Sequence, residues 1–275
     1  MSSQQSGAAS GQQVEEVAAE WTVTWQAPGE RLEDWCNVHV GEDKTHFASV
    51  SEEDGAPVGG HERVWRAQVV DEGDNVSSGW RAEGVGPTEH VSDRPVRYEW
   101  ATYFPRDYPD NTNVQFQVFT QWHQQDPAED VTGTSPPVAF IVEEEKILLD
   151  LRYIDPEGDI GTSLVLEPKS EIAPLERDIW HYFRAEILWN LGSGWIKVWH
   201  STTRPDFSGS PVERTGLMTI FPLRGPLQES KTLEPGTSYL KVGLYRGDEE
   251  KNPKFVVYHD EVRRLANPDD RLGCS

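Results

Sequence analysis

The sequence is poor in cysteine, in basic side chains and in long apolar runs. Its 275 residues include 2 Cys, and 25 Lys and Arg against 47 Asp and Glu, which gives a formal net charge of -22. No apolar run approaches the roughly 18 residues of a membrane span, and the N-terminus lacks the basic-then-apolar pattern of a signal peptide. We therefore expect no membrane partner and, because phosphate binding needs a basic surface, no nucleic-acid partner.

The scarcity of cysteine also limits the chemistry. Cys36 and Cys274 lie near opposite ends of the chain, too far apart in sequence for a Cys-x-x-Cys metal or redox motif. A single long-range disulfide is left open. The acidity has two interpretations, adaptation to high salt or an ordinary acidic secreted protein, and the sequence does not choose between them. In both cases a polyanion is repelled at long range unless basic side chains gather in one groove or salt screens the charge.

What the sequence does contain is enough apolar material for a sizeable core, with a hydrophobic fraction of 36%, 11 Trp and 9 Phe. Residues 1–13 are mainly Ser, Gln, Gly and Ala and predict a disordered leader. From Glu20 onward, short alternating patterns are separated by turn signals, and no long stretch holds a 3.6-residue apolar period. The fold is therefore predicted to be mostly β, as one large domain or two smaller ones.

The stretch 116–125 is the most informative strand. Alternation predicts a core face and a second, polar face; the first holds Phe116, Val118, Thr120 and Trp122, and the second Gln117, Phe119, Gln121 and His123. Gln121 and His123 would lie about 7 Å apart, a spacing at which one side chain can bind a substrate carboxylate while the other handles a proton. An amphipathic edge strand with a solvated polar face is the alternative.

Two further strands carry candidate arginines. Arg81 and Glu83 share one face of the strand 79–85, where the carboxylate can hold the guanidinium fork in a geometry that binds another carboxylate. Arg97, which shares a face with Glu99 in the strand 95–105, is its rival. A surface ion pair worth under about 1 kcal/mol is the alternative for Arg81 and Glu83.

The strand 239–246 has a polar face made by Tyr239, Lys241, Gly243 and Tyr245, opposite an apolar face. Gly243 would let another molecule approach the backbone. An edge strand guarded by a lysine is the alternative. The segments 138–142 with 147–153, and 180–189 with 194–200, are predicted to form hairpins, whereas 204–230 is predicted to be a long loop and 155–159 a turn.

These motifs together resemble a polysaccharide lyase family that includes heparin lyase and glucuronan lyase, and they share motif logic with the β-jelly-roll alginate lyases. The resemblance covers most of the folded chain. It is carried by Arg81-Ala82-Glu83, Tyr98-Glu99-Trp100 through Pro105, Gln121-Trp122-His123, Ser135-Pro136-Pro137, Trp180-His181, Tyr239 through Arg246, and Tyr258 through Arg263. One departure is Arg246-Gly247 in place of the Asn-Gln of alginate lyases, which favours a glucuronan or heparin-type substrate.

The resemblance implies an all-β jelly roll of two antiparallel sheets with a concave substrate groove, with residues 1–19 as a leader and residues 20–275 as one lyase domain. The implied catalytic residues are Tyr245, His123, Gln121 and Arg81, and the implied substrate-binding residues are Lys241, Gln117, Glu83, Tyr239, Arg97 and Arg246. The implied reaction is β-elimination on a uronate polymer. The strong acidity argues against a sulfated substrate, which leaves a glucuronan-like polymer as the expected one.

Further expectations follow from this reaction. β-Elimination requires no redox cofactor; a structural calcium ion is compatible with the related fold, and Asp260 is its candidate ligand. We expect an acidic polysaccharide as the partner, a monomer, secretion to the outside of the cell, and a disulfide between Cys36 and Cys274.

Two alternative functions stay open. A glycoside hydrolase would need a carboxylate pair, for which Glu83 and Glu99 are candidates, and a non-catalytic carbohydrate-binding module would use the Trp side chains as stacking platforms.

Overall fold

The computed structural model describes residues 21–57, 59, 62–70, 79–109, 117–124, 136–154, 164–217, 219–220, 235–247, 254–270, 272 and 274. The predicted leader and the predicted turn 155–159 lie outside these residues. The strands are β1 Thr22–Ala27, β2 Asn37–Val40, β3 Phe47–Ser51, β4 Arg63–Val69, β5 Trp80–Glu89, β6 Val96–Tyr103, β7 Gln117–Gln124, β8 Val138–Glu143, β9 Lys146–Ile154, β10 Leu164–Leu166, β11 Ser170–Pro174, β12 Trp180–Leu188, β13 Gly194–Ser201, β14 Val212–Leu217, β15 Ser238–Arg246 and β16 Phe255–Ala266.

Three short 3-10 turns, Leu32–Asp34, Lys44–His46 and Glu52–Asp54, are the only helical segments in the described ranges, and none of the helices there is long and apolar enough to cross a membrane. The chain is all-β, as predicted from the alternating patterns. Both predicted hairpins are confirmed, β8 with β9 and β12 with β13. The predicted loop 204–230 is wrong in part, because it contains β14, an exposed and polar strand that alternation could not reveal.

The strands form two antiparallel sheets, which confirms the jelly-roll prediction. One sheet has the order β10-β9-β8-β7-β15-β5-β2, with β11 beside β9, and is called the site sheet below. The opposite sheet has the order β14-β13-β12-β6-β16-β4-β3, with β1 beside β16. The face of the site sheet that points away from the opposite sheet is called the site face.

Aromatic side chains fill the space between the sheets. Trp100 of the opposite sheet lies 6.0 Å from Trp122 and 5.1 Å from Phe140 of the site sheet, measured between ring centroids. A buried ion pair also joins the sheets, because Arg264 Nε lies 2.6 Å from Glu89 Oε1. Apolar burial on this scale is the main favourable contribution to folding, and it fixes which face of each strand remains for function.

The predicted disulfide between Cys36 and Cys274 is confirmed, with the two Cα atoms 5.0 Å apart. Cys36 immediately precedes β2, and Cys274 follows β16 near the end of the chain. The bond therefore ties the edge of the site sheet to the C-terminal segment across 238 positions of sequence.

The predicted faces of β7 are right at one end and wrong at the other. Trp122 packs in the core as expected, but Phe119 also packs there, against Phe104 and Phe183, while Val118 lies on the site face beside Tyr245. The reason is a β-bulge, seen as a register shift between Val118 and Thr120 in the pairing with β8. An extra residue in one strand reverses the alternation beyond it.

Candidate active site

Three neighbouring strands of the site sheet bring the predicted catalytic residues together. Strand β15 lies between β5 and β7 and pairs with both. In register, Tyr245 is opposite Arg81, Gly243 opposite Glu83, Lys241 opposite Gln121, and Tyr239 opposite His123. Adjacent strands lie about 4.8 Å apart, so motifs more than 100 residues apart in sequence become one cluster on the site face.

A buried carboxylate, that of Glu83, organises the lower layer of this cluster. Its oxygens lie 2.5 Å from Gln121 Nε2, 3.5 Å from Lys241 Nζ and 3.7 Å from Arg81 Nη1. Burial alone would raise the pKa of Glu83, but Lys241, Arg81 and the Gln121 hydrogen bond together lower it. Glu83 is therefore ionised at neutral pH, and it positions the two cations and the amide rather than exchanging protons.

The outer layer contains the side chains that reach the surface. Tyr239, Tyr245 and His123 are half-buried, whereas Arg81, Glu83, Gln121 and Lys241 below them are buried. Two cations against one carboxylate give the lower layer a net positive charge, inside a chain whose net charge is -22. The cluster is thus a locally basic site of the kind that an acidic chain needs in order to bind an anion.

Tyr245 is held by Arg81 and by a glycine. The Arg81 guanidinium lies 4.2 Å from the centroid of the Tyr245 ring, a cation–π contact. A Cβ atom on Gly79 would lie 2.3 Å from the ring atom Cε2, so any larger residue there would displace the tyrosine. Burial raises the pKa of Tyr245, and Arg81 opposes this shift without cancelling it. At neutral pH Tyr245 therefore carries its proton.

His123 is held in one tautomer. Its Nδ1 lies 2.8 Å from the backbone oxygen of Gln124, and because a carbonyl can only accept, Nδ1 carries the hydrogen. Burial first, and then the charge of Lys241, lower the pKa of His123 to about 4. The ring is therefore neutral at neutral pH, with its lone pair on Nε2. The hydroxyl of Tyr239 lies 3.4 Å from the same Nδ1.

A second histidine, His39 of β2, was not predicted as a site residue. It pairs in register with Glu83, and burial and Lys241 lower its pKa to about 4. With Asn37, Thr88 and Tyr239 it lines a cleft of about 230 Å³ beside this cluster. The only sequence signal was the alternation of Asn37 and His39 with two valines, the same pattern as in Gln121 and His123.

Arg97 is not brought to this site. It lies on the opposite sheet, where its Nη2 is 2.5 Å from Glu186 Oε1 and its guanidinium stacks on Trp21 at 4.3 Å. Alternation had assigned its face correctly but could not say which sheet the strand joins. The prediction that Arg97 binds substrate is wrong, and Arg81 is the arginine of the site.

Gln117 and Arg246 face the core instead of the site face. The two residues pair in register at the ends of β7 and β15. Gln117 is completely buried on the Phe119 side of the bulge, and the Arg246 guanidinium lies 4.8 Å from the Phe255 ring. Both predictions of substrate contact are wrong, Gln117 because of the bulge and Arg246 because it continues the apolar face of β15.

Gly243 is required by the neighbouring strand rather than by a ligand. Its φ is +153°, and a Cβ atom there would lie 2.1 Å from the backbone oxygen of Ala82. The close approach occurs where the pairing of β15 with β7 shifts register between Val242 and Tyr245. Glycine therefore allows the backbone geometry that aims Tyr245 and Lys241 at the same side.

Asp260, the candidate calcium ligand, does not fit a metal site. It lies on the opposite sheet, and burial raises its pKa to about 7, so the carboxyl is only partly ionised near neutrality. The adjacent Glu261 pairs with Arg204 at 2.7 Å. Within the ranges that the structure describes, no group of three or more His, Cys, Asp and Glu side chains could hold a metal ion.

Glu83 and Glu99, the carboxylate pair considered for a glycoside hydrolase, lie on different sheets. Glu83 is in the site, whereas Glu99 joins Arg184 and Arg263 on the opposite sheet, with distances of 2.7 Å and 2.5 Å. A hydrolase needs its two carboxyl groups on either side of one bond. This pair cannot provide them.

Comparison with known proteins decides the family. A family model described as polysaccharide lyase matches residues 33–263, most of the chain. The chain belongs to the polysaccharide lyase family. It is therefore an enzyme that acts on polysaccharides, and the matched range contains Arg81, Gln121, His123 and Tyr245. A search of curated proteins gave no sequence match to this lyase.

Solved structures share the fold of this lyase at low sequence identity. An endo-β-1,4-glucuronan lyase from the fungus Trichoderma reesei has a TM-score of 0.66 at 15% identity, over 91% of this chain and 98% of that one. Alginate lyase A1-II', of polysaccharide lyase family 7, has a TM-score of 0.52 at 8% identity, over 81% and 84%. An alginate lyase from Pseudomonas aeruginosa has a TM-score of 0.50 at 13% identity, over 86% and 100%.

Proposed function

We propose that this lyase cleaves an unsulfated, glucuronan-like polysaccharide by β-elimination on the site face. The observation that carries the proposal is the convergence of Arg81, Gln121, His123 and Tyr245 around the buried carboxylate of Glu83. The net positive charge of the lower layer attracts the uronate carboxylate. Arg81 and Gln121 are buried below the outer rings, so these rings have to turn aside for the uronate carboxylate to reach them.

β-Elimination removes the proton from C5 of the uronate and expels the oxygen from C4. The C5–H electron pair becomes the C4=C5 double bond, the C4–O bond breaks, and the departing oxygen takes a proton. Negative charge spreads into the carboxylate as the proton leaves. Donors fixed in advance at that carboxylate stabilise the transition state, an effect that mutagenesis elsewhere puts at about 3 kcal/mol for a single donor.

We assign both proton transfers to Tyr245. In glucuronate the C5 hydrogen and the C4 oxygen lie on the same side of the ring, so one group can take the proton as a phenolate and then return it to the leaving oxygen. His123, neutral and with its lone pair on Nε2, positions the substrate and would be the base only for the epimeric sugar, in which hydrogen and oxygen lie on opposite sides. Tyr239 completes the binding surface, and the charge of the buried Lys241 lies beneath it.

The choice of glucuronan rests on charge and on this geometry. A sulfated polymer adds anions that a chain of net charge -22 repels, and mannuronate polymers fit the same-side chemistry but belong to the alginates. Arg246-Gly247 stands where the alginate lyases have Asn-Gln, so the sequence differs from the alginate lyase motif at this point. Arg246 itself faces the core and does not contact the substrate. The structural neighbour from Trichoderma reesei is a glucuronan lyase, which agrees with this choice. The proposed enzyme is a monomer and is secreted, so that it meets the polymer outside the cell.

The test follows the ultraviolet absorbance of the new conjugated double bond over a panel of glucuronan, alginate and heparin-type polymers. We expect glucuronan to give the fastest rise, and Tyr245→Phe to lower kcat at least about a hundredfold with KM nearly unchanged, because proton transfer is lost while the ring remains. His123→Ala should reduce turnover less completely. Near-normal turnover by Tyr245→Phe would contradict the assignment, and so would a best substrate rich in iduronate or guluronate on which His123→Ala alone abolishes turnover.

A further inference from the structure

A second arginine on the site face is held by a carboxylate in the same way as Arg81. On β9, Arg152 Nη2 and Nε lie 2.7 Å and 3.2 Å from Asp150 Oδ2. The two residues are spaced i and i+2 and share a face, as Arg81 and Glu83 do on β5. Because one carboxylate oxygen receives two donors, the guanidinium fork of Arg152 has a fixed plane.

This pair lies across the site sheet from Arg81, on the far side of Tyr245. Asp150 is opposite Ala139 of β8, and Ala139 is opposite Gln121 of β7. Between the two arginines the site face is apolar, because Val118, Ala139 and Ile141 are buried there and pack with Tyr245. The positive charge of Arg152 acts to lower the pKa of Tyr245, against the larger effect of burial.

Two unused polar groups distinguish the pair from an ion pair that only stabilises the fold. Asp150 is 2% exposed, yet its Oδ1 has no hydrogen-bond partner. The side chain of Arg152 is 20% exposed, and its Nη1 makes no hydrogen bond to any residue that the structure describes. Buried polar atoms in native proteins are nearly always bonded, and an acceptor beside an exposed donor suits a ligand that carries both a carboxylate and a hydroxyl.

We propose that Arg152 binds the carboxylate of the uronate unit next to the one that is cleaved, with Asp150 holding the guanidinium and offering Oδ1 to a hydroxyl of the same unit. The apolar floor of Val118, Ala139 and Ile141 lies under the C–H face of that sugar. The inference rests on the proposed function, and it adds that two neighbouring carboxylates are recognised by two separately buttressed arginines. A polymer with neutral sugars between its uronates would lose one of these contacts.

Steady-state kinetics on glucuronan, followed by ultraviolet absorbance, test the role of Arg152. We expect Arg152→Gln to raise KM about tenfold or more, as loss of a charged hydrogen-bonded contact does, with kcat changed less than about threefold. Arg106→Gln is the matched control, because Arg106 is 88% exposed and pairs with Asp178 away from the site sheet. A KM for Arg152→Gln within about twofold of that control would overturn the inference.

Arg152→Lys covers the case in which the glutamine variant does not fold, because lysine keeps the charge but not the fork. A KM raised about threefold or more by Arg152→Lys supports the inference, and an unchanged KM overturns it. Size-defined oligoglucuronates add a readout that a structural role would not move. Oligomers too short to reach Arg152 should be cleaved equally by wild type and variant, whereas longer ones should separate the two proteins; an equal loss at every length would overturn the inference.

The same assay separates failure of this inference from failure of the proposed function. If the wild-type lyase gives no unsaturated product from glucuronan, the proposed function is wrong and the inference falls with it. If the wild type cleaves glucuronan and the Arg152 variants match the Arg106 control, only the second carboxylate contact is wrong.

Discussion

Replacement of Glu83 by glutamine tests the central contact of the site. Glutamine keeps the size of the side chain and an oxygen that can accept from Gln121, but it removes the negative charge that Arg81 and Lys241 share. Removing one partner of a buried ion pair costs about 3 to 5 kcal/mol. The two cation distances, 3.7 Å and 3.5 Å, are longer than those of direct charged hydrogen bonds, so we expect the lower end, about 3 kcal/mol.

The assay is urea unfolding together with kcat/KM, and Glu99→Gln is the matched control. Glu99 also holds two arginines, but on the opposite sheet, where the side chains of Arg184 and Arg263 are 25% and 37% exposed. There we expect about 1 kcal/mol or less and unchanged activity. Glu83→Gln should also lower kcat/KM at least about tenfold, since Arg81 and Gln121 lose their anchor. If Glu83→Gln is no less stable than Glu99→Gln and equally active, the reasoning is refuted.

Two further predictions concern the whole chain. Reducing the disulfide between Cys36 and Cys274 should lower the free energy of unfolding by up to about 5 kcal/mol, the value that the chain-entropy model gives for a loop of this length. The measurement is urea unfolding with and without reductant, and equal free energies in the two conditions would contradict the prediction. The free energy of unfolding and kcat/KM should both rise as salt is added. The acidic side chains behind the net charge of -22 repel one another and also repel the polyuronate, and salt screens both repulsions beyond about 10 Å at 0.1 M. A steady loss of activity with salt would show that attraction to the basic cluster dominates recognition instead.

Alternation predicted the site where successive residues of a strand continue to point to opposite faces of the sheet. On β15 it placed Tyr239, Lys241 and Tyr245 on one face, and the structure places them there. The same rule places Arg246 on the core face, where the structure has it. Its predicted role in binding substrate came from the resemblance and not from its position on the strand. On β7 the rule failed at Gln117, because a bulge changes the count of residues without leaving a mark in the side-chain pattern.

Other features depend on which strands become neighbours, and alternation within one strand carries no such information. Arg97 lies on the predicted strand 95–105, yet this strand joins the opposite sheet, and the strand that carries Asp260 joins the same sheet. His39 reaches Glu83 only because β2 pairs with β5 at the edge of the site sheet. Asp150 and Arg152 belong to the hairpin of β8 and β9, which was predicted as a hairpin without any indication that its polar residues lie on the site face.

The pH dependence of kcat/KM on glucuronan, followed by ultraviolet absorbance, tests most directly whether Tyr245 takes the proton. A base must be deprotonated to act, and burial raises the pKa of Tyr245 above its ordinary value. The account therefore predicts that kcat/KM climbs with pH through neutrality and up to about pH 10, and that Tyr245→Phe abolishes the climb. His123, with a pKa of about 4, would already be deprotonated across that range. A wild-type profile that is flat from about pH 5 to about pH 9 would contradict the account and identify His123 as the base.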